Sequence, residues 1–173
     1  MGFFRTLLGK GGGDTPSPST IAPIAPANSA PRSIGYDPQL VDSLLHDHAE
    51  LGTLFARIGE LQSAGIYGEM RALLVNFKSR LEAHVLTENV RFYNYLEQAL
   101  ADQPNDAEIM RDFRREMNSI ARSVIEFVKK YQQSTFNTAD QKQFAADYAA
   151  VGKILEQRLD SEESNLYPLY RPD

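Results

Sequence analysis

Few side chains in this sequence can do chemistry, and several of them fall at telling intervals. The segment "LEAHVLTENVRFYNYL", Leu81 to Leu96, carries His84 and Glu88 four residues apart. On a helix that interval stacks two side chains on one face, so an imidazole and a carboxylate can reach a single ion. "LLHDHAEL" supplies His48, and "RLDSEESNLYP" supplies Glu162 with Arg158 four residues before it. Two imidazoles and two carboxylates make a donor set suited to iron, manganese or zinc. A guanidinium cannot ligate a cation, but it can neutralise carboxylates through paired hydrogen bonds. With three histidines and no cysteine, the chain offers neither thiolate ligands nor disulfides. No Ser-His-Asp arrangement can be read from it, and "GKGGGD" does not follow a strand as a phosphate loop would.

The elements that must position these groups are helices. Asp37 as N-cap and Pro38 at the first helical position open a helix running to about Ser63. A second runs from about Tyr67 to Ala101 after the "AGIYG" turn. Asn105 with Glu108, and Thr138 with Gln141, read as capping boxes that start a third helix ending near Tyr131 and a fourth ending before Pro168. Short connections between four helices predict an all-α, antiparallel up-down-up-down bundle spanning residues 36–173.

Each helix has a stripe of inward positions stepping by three and four. His48 continues the line of Leu44, Leu51, Phe55 and Ile58; His84 and Glu88 continue that of Met70, Leu74, Phe77, Leu81 and Phe92. Met117 lies on the third stripe, and Arg158 and Glu162 on the fourth. His46 has polar helical neighbours and faces solvent. Counted from the turns at about 1.5 Å per residue, the polar interruptions lie within one or two turns of a common level. Buried Glu and Arg need partners. Two accounts supply them. In one, His48, His84, Glu88 and Glu162 ligate a divalent metal; in the other, Arg158 sits between Glu88 and Glu162 and the layer is a metal-free salt bridge. Spacing alone leaves both open.

Ahead of the bundle, residues 11–35 hold five of the nine prolines and no periodicity, which predicts a disordered Pro/Gly/Ala/Ser-rich linker. Residues 1–10, "MGFFRTLLGK", form a short amphipathic peptide fit to dock a protein partner or touch a membrane surface; "MGFFRT" also fits the loose N-myristoylation pattern. Arg5, Lys10 and Arg32 against Asp14 leave residues 1–35 at +2 and the remainder at −7, within a total of −5. An acidic bundle argues against a nucleic-acid partner. No apolar run approaches the ~20 residues of a membrane span, and "GFFRTLL" lacks a signal-peptide cleavage site, so a cytoplasmic protein is expected.

The motifs that hold these residues resemble those of the hemerythrin-like (HHE cation-binding) family. "LLHDHAEL" looks like its first-helix motif, with His48 in the ligand position. "HVLTENVRFY" looks like the second, and "EESNLYP" resembles the fourth-helix ending, with Glu162 as the carboxylate. The resemblance spans about residues 38–170 and implies a bundle around a non-haem di-iron centre, bridged by carboxylates matching Glu88 and Glu162, with one iron also held by imidazoles matching His48 and His84. Family members bind dioxygen, sense oxygen, nitric oxide or iron, or act as regulators. This chain departs from the pattern twice: Met117 and Arg158 stand where the family has ligand histidines. A thioether is a poor ligand for iron and a guanidinium none. Three states of the layer therefore remain open: one metal, a metal-free salt-bridged core, or a residual dinuclear site.

The expected function is a regulatory or interaction protein with a reduced, mononuclear or vestigial, metal site, whose N-terminal peptide engages a partner. The alternative is a non-haem iron sensor or binder of dioxygen or nitric oxide. A two-iron oxidase ranks last, because the ligands for a second iron are missing.

Overall fold

The computed structural model describes residues 34–172 of the chain. The peptide 1–10 and nearly all of the linker 11–35 lie outside the described residues. Five α-helices follow one another: α1 (Leu40–Ser63), α2 (Tyr67–Thr87), α3 (Tyr93–Ala99), α4 (Pro104–Gln132) and α5 (Thr138–Ser161). The π-helical turn Glu88–Phe92 joins α2 to α3 without a break, so the two form one rod. A second π turn, Glu162–Leu166, continues α5 and runs into a 3-10 turn, Tyr167–Leu169. The result is the expected all-α bundle of four rods. α1 packs on α2, α2 on α4, α4 on α5, and α5 back on α1. There is no strand among the described residues, and no helix there is long and apolar enough to cross a membrane.

The helix boundaries are as the apolar periodicity sets them, but the caps differ. Asp37 is not the N-cap of α1: its side chain accepts from the Gln39 backbone N–H at 3.0 Å, forming a turn one step ahead of Gln39, which takes that position. α4 begins at Pro104, so Asn105 lies inside the helix and caps nothing. α5 is capped by Asn137, whose Oδ1 accepts from Ala139 and Asp140; Thr138 is the first helical residue. In both later cases Pro or Asn one residue earlier competes better for the start. α1 ends where Gly65 takes φ +72° and Ile66 N–H bonds back to the Leu61 carbonyl at 2.9 Å, a closure that favours glycine.

The apolar stripes meet in two clusters. One gathers Leu51, Ile58, Met70, Leu74, Phe77, Leu81, Met117, Val124, Phe127 and Phe144. The other gathers Leu40, Leu44, Phe92, Tyr93, Leu96, Met110, Leu166, Tyr167 and Tyr170. Along α1, α2 and α5 the chain passes from one cluster to the other through His48, through His84 and Glu88, and through Arg158 and Glu162. The core is therefore split by one polar layer, all five of whose side chains are buried.

Candidate metal centre

Within that layer His48 and His84 bring their Nε2 atoms to 3.3 Å. His48 Nε2 lies 3.4 Å from Glu162 Oε2, and His84 Nε2 lies 3.8 Å from Glu88 Oε2. Donor atoms of His48, His84 and Glu162 all fall within 4.8 Å of one another. Glu88 is contiguous with this group through His84. A metal ~2.1 Å from each of its tetrahedral donors keeps them ~3.4 Å apart, and the His48–His84 and His48–Glu162 separations match that spacing.

The far side of the His48 imidazole is held by a carboxylate, while His84 Nδ1 has one nearby but no hydrogen-bond partner among the described residues. His48 Nδ1 hydrogen-bonds Glu163 Oε1 at 2.8 Å, and Asp47 Oδ2 lies 3.5 Å from His84 Nδ1. A carboxylate behind Nδ1 favours the tautomer that leaves the Nε2 lone pair free for a metal, the usual arrangement around histidine ligands. On the near side, Glu88 Oε2 and Glu162 Oε2 are buried and have no hydrogen-bond partner. Orphaned carboxylate oxygens at 0 % exposure are costly, and both are oxygens that face an imidazole nitrogen. The donor set thus fits a cation.

Arg158 occupies the other half of the layer. Its Nε donates to Glu162 Oε1 at 2.7 Å, one terminal nitrogen donates to Glu116 Oε2 at 3.1 Å, and the other to the Tyr93 hydroxyl at 3.0 Å. Its side chain is 1 % exposed. The expected clamp between Glu88 and Glu162 does not form: among the described residues the guanidinium ion-pairs Glu162 and Glu116 and leaves Glu88 alone. Its fork is planar and already spread over three partners on three different rods, so Glu88 falls to another group. That group is Tyr167, whose hydroxyl donates to Glu88 Oε1 at 3.0 Å and sits 3.1 Å from His48 Nε2. Met117 is buried in the larger apolar cluster, where it also lines a cleft.

Electrostatics follow this division. Burial, and secondarily the charge of Glu162, pushes the Glu88 carboxyl up to about 8, so without metal it holds its proton at neutral pH. Burial depresses His48, but the neighbouring carboxylates of Glu162 and Glu163 outweigh it and raise the imidazole. His84 is lowered, by burial and then by the neighbouring His48. For Arg158, burial is again overcome, by the Glu162 charge, and its pKa is raised. In the metal-free layer Arg158 faces Glu162 and Glu88 is neutral. A cation brought into the layer inverts that logic and favours the ionised carboxylate.

The sequence reading overlooked Glu116, Glu163, Asp47, Tyr93, Tyr167 and the two π turns. The turns explain the tyrosines. Tyr93 N–H bonds the Glu88 carbonyl, and Tyr167 N–H bonds the Glu162 carbonyl, each across five residues. In a regular α-helix, residues five apart differ by about 140° in direction. A π turn absorbs one residue, so five count as four and each tyrosine returns to the face of its glutamate. A signal was present in the chain: "HVLTENVRFY" and "RLDSEESNLY" share the order His or Arg, Glu after four, Tyr after five more.

A cleft of about 580 Å³ between α1 and α5 reaches the layer. Leu51, Phe55, Phe77, Leu81 and Leu155 form much of its wall, with His48, His84 and Arg158 at the polar end. Comparison with known proteins bears on this arrangement. The family model described as Hemerythrin HHE cation binding domain matches residues 39–170. Comparison with curated proteins and with solved structures gives no significant match.

Proposed function

The chain belongs to the hemerythrin HHE cation-binding family, and on that premise we propose that it is a regulatory or interaction protein whose bundle holds a single iron, or another divalent transition metal, through His48, His84, Glu88 and Glu162. One observation carries this reading: two orphaned, fully buried carboxylate oxygens face two imidazole nitrogens, and the His48 ring is oriented from behind by Glu163. A purely structural ion-pair layer would leave fewer groups unsatisfied. Arg158 supports a count of one, because a guanidinium bonded to Glu162, Glu116 and Tyr93 fills the space beside the donor set with a fixed positive charge. Such a layer is unsuited to two-metal oxidation chemistry, and a regulatory role fits it better. The N-terminal peptide 1–10, with Phe3, Phe4, Leu7 and Leu8 beside Arg5 and Lys10, has the composition of a docking segment for a protein partner in the cytoplasm, with a membrane surface as the other candidate.

The test is elemental analysis of protein expressed in iron-rich medium. About one equivalent of metal per chain is expected, falling to below about a tenth in His84→Ala. A metal-free parent would sink the proposal, as would two equivalents. For the docking peptide, deletion of residues 1–10 is expected to abolish capture of the partner, and unchanged capture would refute that part.

The cleft favours a second reading, a sensor or binder of dioxygen or nitric oxide. A largely apolar cleft reaching His48 and His84, with Glu156, Asp160 and Glu163 also in its lining, gives a small uncharged molecule access to the layer. Reduced, iron-loaded protein exposed to nitric oxide would show an iron–nitrosyl spectrum if this reading holds; an unaltered spectrum removes it.

A further inference from the structure

We propose that Tyr167 is a fifth protein ligand, binding iron through its phenolate oxygen; the inference rests on the metal-binding reading above and extends it. The Tyr167 hydroxyl is not beside the donor set but within it, 3.0 Å from Glu88 Oε1 and 3.1 Å from His48 Nε2. Its ring stacks against the His48 imidazole, centroids 5.6 Å apart and planes 22° from parallel, and packs edge-on to Phe92 at 5.2 Å. The residue is 4 % exposed, so the oxygen has little freedom to leave the layer.

The other half of the layer shows what a tyrosine at this position does. Two of the four rods present the same series, a His or Arg, then a Glu that opens a π turn, then Tyr. In one half the cation is already in place, as the Arg158 guanidinium, and Tyr93 puts its hydroxyl directly on it at 3.0 Å, beside Glu162 and Glu116. The polar groups of that half converge on a positive centre, and the tyrosine is one of them. Tyr167 is its counterpart in the half that holds His48, His84 and Glu88. A cation at the convergence of those donors meets the Tyr167 oxygen as Arg158 meets that of Tyr93. A hard, anionic oxygen donor suits ferric iron. When the oxygen–metal bond forms, the O–H bond breaks and the proton passes to solvent, as metal binding commonly releases protons from its ligands.

The experiment uses full-length protein loaded with ferrous iron and oxidised in air. Phenolate bound to ferric iron gives a broad visible charge-transfer band and tyrosinate ring modes in resonance Raman. The parent is expected to show both. Tyr167→Phe, which keeps the ring contacts, should lose both and bind iron about tenfold more weakly or worse. Tyr93→Phe should keep both. Iron bound without the band, or a band that survives Tyr167→Phe, overturns the assignment while leaving the metal site standing. A parent that takes up no iron overturns the metal site and this ligand together.

Discussion

Removing the charge from Glu88 should change how stability depends on pH, and the size of the change can be worked out. In the metal-free fold the Glu88 carboxyl is raised from 4.5 to about 8, so between these values the native state holds a proton that the unfolded chain has released. Stability therefore falls as pH rises through that window, by about 1.4 kcal/mol per pH unit. The whole interval amounts to a loss on the order of 5 kcal/mol, a large share of a typical domain's stability. His48 adds to the fall, since its raised imidazole loses its contribution as pH climbs above 6.5. His84 opposes it on the acid side, because a lowered imidazole is least favourable when protonated. Glu88→Gln keeps the carbonyl that accepts from Tyr167 but cannot ionise. Urea unfolding of chelator-treated parent and variant across pH 5 to 8 measures the difference. The two should be close in stability near pH 5, and the variant should be the more stable by several kcal/mol near pH 8. Parallel pH profiles for the two proteins would show that Glu88 is not a buried neutral acid, and the charge balance assigned to the layer would fail with it.

Arg158→Leu should destabilise the metal-free protein by about 3–5 kcal/mol in the same assay, because it strands Glu162 in the core without its 2.7 Å partner. Adding Glu162→Gln should recover part of that loss. Two glycines of α1 should respond oppositely. Gly52 lines the cleft and a Cβ there meets nothing within 4 Å, so Gly52→Ala should stabilise by about 0.5–1 kcal/mol through helix propensity. At Gly59 a Cβ would lie 2.6 Å from the Tyr148 hydroxyl, which donates to the Phe55 carbonyl at 2.7 Å. Gly59→Ala should displace that hydroxyl and give a net loss of about 1 kcal/mol by thermal melting. Finally, Arg158→His combined with Met117→His should raise iron content above that of the parent; unchanged content would mean that these two positions do not face a second metal.

Much of this protein is determined by its sequence alone. The period of its apolar residues specifies four helical rods, and the same stripes carry His48, His84, Glu88, Arg158 and Glu162 into the core, because a helix turns a three-and-four spacing into one face. Their distances from the turns bring these residues to within one or two helical turns of a common level. Helix starts were less legible, since Asn137 and Pro104 compete with their neighbours over single-residue shifts that periodicity cannot resolve.

Tertiary structure decided most of the partners. What Arg158 meets beyond Glu162 depends on where the α4 rod brings Glu116 and how Tyr93 is turned, and neither is a property of α5. The π turns at Glu88 and Glu162 rotate everything after them relative to everything before, so a tyrosine five residues beyond its glutamate returns to the same face. Local sequence sets which residues point inward and pairs Arg158 with Glu162 four residues on; the packing of four rods sets the remaining partners, because those contacts join segments far apart in the chain.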